Sequence, residues 1–274
     1  MTEESSGVPE QWENCLAPTL PHLGVPTFRG FVYGVEFFPK EADSCLMRFA
    51  SRADAGRQLG KHLQQQGVEA DLVLGLPRGG VVVAAGVACL LQRPLDVLIV
   101  RKIGHPWQRE FAVGALAEPD VVIFDESLKW KNPLVRAELD GVIAEEKERL
   151  REYRLQFHAS APPVLEGKMV LLVDDGLATG ATAEAAVLSV KQQKARRVII
   201  AAPVASTHAV ERLRREADEV AVLFMDADFQ AVGQYYEEFS QTSDAEVMAL
   251  LRAAATPRRA LPNPLDAKTR KESV

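Results

Sequence analysis

Four apolar residues, Val170-Leu171-Leu172-Val173, give way at once to Asp174-Asp175-Gly176, and after Leu177 comes Ala178-Thr179-Gly180-Ala181-Thr182. An apolar run that stops this sharply reads as a strand buried on both faces. Such a strand needs helices above and below it, so the rest of the chain must supply them. From about residue 46 to 255 short apolar runs alternate with amphipathic stretches, the pattern of α/β units around an open, mostly parallel sheet flanked by helices. Helices are expected over 51–66, 81–91, 133–158, 182–193 and 207–217, and strands over 71–76, 95–101, 169–174, 198–203 and 220–223, with a further run over 111–116. Residues 1–45, with Pro9, Pro18, Pro21, Pro26, Pro39 and scattered aromatics, read as an irregular extension. Residues 256–274, with Pro257, Pro262, Pro264 and mixed charge, read as a disordered tail.

Within 133–158, Leu139, Ile143, Leu150, Tyr153 and Phe157 form one helical stripe, suited to packing on the sheet or, alternatively, to a homodimer contact. Composition narrows the function classes. A net charge of −6 and a pI near 5.5 give no basic footprint for nucleic acid. No apolar run reaches the roughly 20 residues that cross a bilayer, and the first residues lack a secretory pattern, so a cytoplasmic protein is expected. Cys15, Cys45 and Cys89 form no C-x-x-C pair and read as free thiols.

The chemistry gathers where strands are expected to end, since ligands of open α/β sheets collect beyond the carboxyl ends of strands. The small-residue turn Ala178 to Thr182 leads into a helix and presents backbone N–H groups, an anion seat suited to a phosphate monoester. Thr179 and Thr182 can add hydroxyl donors. Successive strand residues point to opposite faces, so Asp174 and Asp175 reach one ligand only if the strand ends between them, and Gly176 eases that bend. The bland alternative makes these acids and threonines ordinary turn caps. A second candidate, Leu74-Gly75-Leu76-Pro77-Arg78-Gly79-Gly80, matches neither the dinucleotide nor the P-loop fingerprint and on its own could be a tight strand-to-helix connection. A third is Arg101-Lys102 at the end of an apolar run, either two cations for a polyanion or a solvated strand terminus.

Together these segments resemble the type I phosphoribosyltransferases, with VLLVDDGLATGAT similar to the signature that binds phosphoribosyl pyrophosphate (PRPP) in that family. The resemblance spans about residues 53–251 and implies the family's fold with a small variable hood. It gives the ribose hydroxyls to Asp174 and Asp175, with Gly176 in the turn. It gives the 5-phosphate to Ala178, Thr179, Gly180, Ala181 and Thr182, and the pyrophosphate to Arg78, Gly79, Gly80, Arg101 and Lys102. Asp174, Asp175, Arg101 and Lys102 are the implied catalytic residues. Mg2+ would be bound mainly through PRPP, with no metal site in the protein itself. One departure is Gly176, where the family more often has an aliphatic residue. Gly104 to Glu110 stands where the family has its flexible catalytic loop but is short; His105 there is a candidate proton donor or polar surface, and Trp107 a stacking residue or an anchor. Phe229, Tyr235, Tyr236 and Phe239 fall in the expected hood, at least two of them as core aromatics.

The implied activity is transfer of the 5-phosphoribosyl group from Mg2+-PRPP to a nitrogen acceptor, a nucleobase, with release of pyrophosphate. The partners are then PRPP and a small-molecule acceptor, with no nucleic acid and no membrane. The alternative is a non-catalytic PRPP- or nucleotide-sensing regulator of the same fold. The motif order also matches a bacterial group of phosphoribosyltransferases for which no acceptor is defined. Ala178 stands where relatives acting on hypoxanthine or guanine generally have an acid, which speaks against those two bases.

Overall fold

The computed structural model describes residues 48–124, 133–158 and 162–255; the expected extension over 1–45 and tail over 256–274 lie outside the described residues. In chain order the elements are α1 (Arg52–Gln65), β1 (Leu72–Gly75), α2 (Gly79–Leu91), β2 (Leu95–Val97), β3 (Val100–His105), β4 (Gln108–Ala117), β5 (Val121–Phe124) and α3 (Pro133–Phe157). They continue with β6 (Met169–Val173), α4 (Ala181–Gln192), β7 (Arg197–Ser206), α5 (Thr207–Leu213), β8 (Glu219–Asp226), a 3-10 turn (Val232–Tyr235) and α6 (Asp244–Ala255).

Five strands pair in parallel in the order β2-β1-β6-β7-β8. The pleat sends alternate residues to opposite faces, so a strand covered on both sides must be apolar throughout. In β6, Leu171 and Val173 pack with Leu59 and Leu63 of α1 and Val83 and Val87 of α2. Val170 and Leu172 pack on the other face with Val187 and Val190 of α4 and Leu213 of α5. Each such side chain contributes about 1.5 to 3 kcal/mol by leaving water. This is the α/β architecture expected from the sequence. From β1 the chain winds outward to β2, and from β6 it winds the other way to β7, so the winding reverses between β1 and β6.

The single strand expected over 95–101 is two strands in different sheets. At Leu98 and Ile99 the chain leaves the main sheet: the Leu98 N–H donates to the Gly75 carbonyl at 3.1 Å, and the Ile99 N–H to the Glu118 carboxylate at 2.9 Å. Val100 then opens a three-stranded antiparallel sheet, β3-β4-β5. The stripe of α3 lies on it, with Leu139, Leu150 and Phe157 buried against Ile99, Ile103, Val113 and Leu116. Strand β5 and helix α6 were not expected. Among the described residues no helix is long and apolar enough to cross a membrane.

One ionic node joins the layers. His158, just beyond α3, has Nε2 3.1 Å from Glu118 at the end of β4 and Nδ1 3.4 Å from Asp96 in β2, and Arg154 Nε lies 3.2 Å from Glu118. Burial alone would lower the His158 pKa, but the hydrogen-bonded Glu118 carboxylate and the Asp96 carboxylate facing Nδ1 outweigh it and push the value from 6.5 up to about 9. A raised histidine stabilises the fold fully below about pH 6.5 and loses that contribution as pH rises toward 9, at most about 3 kcal/mol. The melting temperature is therefore expected to fall between pH 6.5 and 9 in the wild type and to change much less in His158→Gln. Identical pH dependence in the two proteins would assign the effect to other groups.

Candidate functional site

The turns that follow β1 and β6 are neighbours because those strands pair in parallel, Gly75 opposite Val173. This is the point at which the winding reverses, where an open α/β sheet leaves a crevice. Asp174 and Asp175 stand there, both half-buried. The Asp175 N–H donates to Asp174 Oδ1 at 2.8 Å, and Arg52 Nε–H donates to Asp175 Oδ2 at 2.7 Å. Among the described residues no N–H reaches the second oxygen of either carboxylate, and the two carboxylates lie against each other. Burial and then the neighbouring Asp175 charge push Asp174 well above the ordinary carboxylate range, while the Asp175 N–H and the Lys102 charge pull it down. Tyr236 donates from its hydroxyl to the Asp175 carbonyl at 2.6 Å, and burial together with the Asp175 charge raises its pKa, which keeps it a donor.

Gly176 has a steric reason. A Cβ there would stand 2.6 Å from Val232 Cγ1 and 3.0 Å from Val204 Cγ2, so Val232 of the 3-10 turn fills the space that an aliphatic residue would take. The following turn is anchored to β7: Leu177 N–H donates to the Val204 carbonyl at 2.9 Å, Ser206 N–H to the Leu177 carbonyl at 2.9 Å, and Ser206 Oγ–H to the Ala178 carbonyl at 2.5 Å. Ala178 and Thr179 are exposed. Gly180 has φ of 74° and caps α4, whose first-turn N–H groups have no partner within the helix. An L side chain at that φ is strained, so a valine there would disturb the helix start as well as any phosphate.

The glycine loop after β1 lies against the acids. A Cβ on Gly79 would overlap Asp175 Oδ2, and one on Gly80 would stand 2.8 Å from the Val173 carbonyl oxygen and 2.9 Å from Asp174 Oδ1. The Pro77-Arg78 peptide is cis. Arg78 Nη1 is 3.7 Å from Asp244 Oδ1 at the start of α6.

Arg101 and Lys102, expected as a pair, are separated by strand alternation. Lys102 is exposed and acts electrostatically on Asp174. Arg101 points to α3, with Nε 2.9 Å from the buried Glu146 carboxylate and its guanidinium 5.3 Å from the Tyr153 ring centroid. The structure therefore brings Asp174, Asp175, Gly79 and Gly80 together with the Lys102 charge felt at Asp174, pairs Arg78 with Asp244, and holds Arg101 on the other face of β3 from Lys102. The segment expected as a flexible loop is the end of the β3-β4 hairpin, His105 pairing with Gln108. His105 and Trp107 are edge-on at 5.6 Å, and Trp107 is 65% exposed. In the hood, Tyr235 and Tyr236 are buried core aromatics, as expected for at least two of the four, while Phe239 is half-exposed. Arg52 was missed by sequence reasoning: it opens a predicted helix, and nothing in the linear order links it to Asp175.

The family model described as phosphoribosyl transferase domain matches residues 50–238. A Mycobacterium tuberculosis H37Rv protein named "putative phosphoribosyl transferase" is 44% identical over 207 residues, 75% of this chain and 47% of that protein. The chain thus spans about half the length of the curated relatives it matches. The crystal structure of TT1426 from Thermus thermophilus matches with a TM-score of 0.65 at 43% identity, covering 76% of this chain and 100% of that one.

Proposed function

Because the chain belongs to the phosphoribosyl transferase domain family, we propose that it transfers the 5-phosphoribosyl group from Mg2+-PRPP to a nitrogen acceptor, a nucleobase, and releases pyrophosphate in the cytoplasm. The observation that carries this reading is the meeting of an acid pair, a small-residue turn opening a helix, and a glycine loop where the sheet reverses its winding. A sugar phosphate with an anionic leaving group matches that set in charge and hydrogen-bonding sense.

The transition state has oxocarbenium character, so the site must fix the sugar, stabilise the departing pyrophosphate and exclude water. Asp174 and Asp175 accept from the ribose hydroxyls through the oxygens that no N–H of the described residues reaches. The turn Ala178 to Thr182 takes the 5-phosphate with backbone N–H groups and the helix end. Gly79 and Gly80 bring backbone to the pyrophosphate, with Arg78 and Lys102 supplying charge. Mg2+ enters as part of the substrate. Among the described residues no group of three or more His, Cys, Asp or Glu could hold a metal ion.

The two neighbouring cations should behave differently. Lys102→Ala is expected to lower kcat for pyrophosphate departure, because a contact that tightens in the transition state shows in kcat. Arg101→Ala is expected mainly to lower the melting temperature, because it leaves the buried Glu146 carboxylate with fewer partners. Turnover and melting curves of both variants check this, and full kcat in Lys102→Ala would return Lys102 to the surface.

The proposal is tested by incubating the protein with PRPP, Mg2+ and pooled nucleobases while following pyrophosphate. Acceptor-dependent release is expected. PRPP binding without release for any acceptor would favour the sensing regulator, which further predicts nucleic-acid affinity that responds to PRPP and falls steeply with salt.

A further inference from the structure

Among the described residues, the cation in ion-pair contact with the acid pair comes from α1. Arg52 donates from Nε to Asp175 Oδ2 at 2.7 Å and from Nη1 to the Ser240 carbonyl at 2.7 Å, and its guanidinium lies 3.8 Å from the Phe239 ring centroid. Its side chain is 12% exposed and that of Asp175 16%. Phe239, itself half-exposed, lies 5.2 Å from the Tyr236 ring and against Gly233, where a Cβ would stand 2.9 Å from Phe239 Cδ1. Tyr236 closes the circuit through its hydroxyl on the Asp175 carbonyl. Gly79 leaves room for the pair, since a Cβ there would stand 2.6 Å from Arg52 Nε.

From this arrangement we infer that Arg52 is a positioning residue for the sugar subsite. It engages one oxygen of Asp175, leaves the other to face the ligand, and ties that choice to the seating of the Tyr236–Ser240 segment. The inference rests on the ribose role proposed for Asp174 and Asp175. Both contacts need a planar fork with donors in two directions; an ammonium is a point charge and cannot hold Asp175 and Ser240 in the same way. The role is specific to ligands that carry the sugar, because Arg52 reaches the ligand only through Asp175.

Calorimetry on the full chain with ribose 5-phosphate, and separately with Mg2+-pyrophosphate, tests this in the wild type, Arg52→Lys and Arg52→Met. Arg52→Lys keeps the charge, so a general weakening of anion binding cannot imitate the result. The expected outcome is a loss of about tenfold or more in ribose 5-phosphate affinity in both variants, the scale of one charge-assisted hydrogen bond, with pyrophosphate affinity in Arg52→Lys as in the wild type. Unchanged ribose 5-phosphate affinity in Arg52→Lys, or an equal loss for both ligands, overturns the positioning role. If Arg52→Met fails to fold, Arg52→Lys carries the test. Wild-type protein that binds pyrophosphate but not ribose 5-phosphate would instead overturn the ribose role of the acid pair, a result distinct from failure of the Arg52 inference.

Discussion

Asparagine in place of Asp174 or Asp175 is expected to weaken PRPP binding about 10- to 100-fold at each position, because an amide cannot reproduce a carboxylate's charge-assisted acceptance from a ribose hydroxyl. Asp174→Asn is the cleaner variant. Its amide oxygen can still accept the Asp175 N–H, which leaves the backbone of the turn in place. Asp175→Asn also removes the charge opposite the half-buried Arg52, so a lower melting temperature should accompany its loss of affinity. The raised pKa of Asp174 adds a pH signature: its neutral form is kept to higher pH than an ordinary carboxyl, so PRPP affinity should fall as pH falls in the wild type and depend less on pH in Asp174→Asn. Calorimetry and turnover of both variants check this; wild-type values in both would sink the ribose role.

Hypoxanthine and guanine are expected to be poor acceptors, at least about 100-fold below the preferred one in kcat/KM, the lower end of what a positioned acid or base contributes. In phosphoribosyltransferases that use those bases, an acid at the first position of the phosphate turn can exchange a proton with the purine ring. Here that position is Ala178, exposed, with its carbonyl tied to Ser206. A methyl group moves no proton. The test is a panel of adenine, guanine, hypoxanthine, xanthine, uracil and orotate at equal concentration with PRPP and Mg2+. A kcat/KM for guanine or hypoxanthine above all the others would refute the exclusion and direct attention to His105 on the β3-β4 hairpin.

What was legible in the sequence is what neighbouring residues decide. Val170 to Val173 had to be a doubly covered strand, and the acids and small residues behind it had to sit at its carboxyl end; β6 and α4 follow that reading closely. Partners distant in sequence were not legible. Arg52 and Asp175 meet only because α1 packs beside the end of β6, and Val232 explains Gly176 only once the 3-10 turn lies over it. The apolar run over 95–101 hid a change of sheet because Glu118, far along the chain, takes the Ile99 N–H at which the chain turns. That same change puts Arg101 and Lys102 inside β3 rather than beyond a strand end, and there the pleat sends them to opposite faces. Val121–Phe124 is a short, half-buried strand with little pattern of its own. The stripe of α6, Val247 and Leu250 with Leu251, could have been found by its helical spacing.

Titrating the wild-type chain with ribose 5-phosphate, then repeating the titration with PRPP present, reads the turn from Asp174 to Thr182 most directly. One saturable site is expected, blocked by PRPP and weakened in Asp174→Asn. A folded wild-type chain that binds neither ligand, or that binds ribose 5-phosphate equally well with PRPP present, would contradict it.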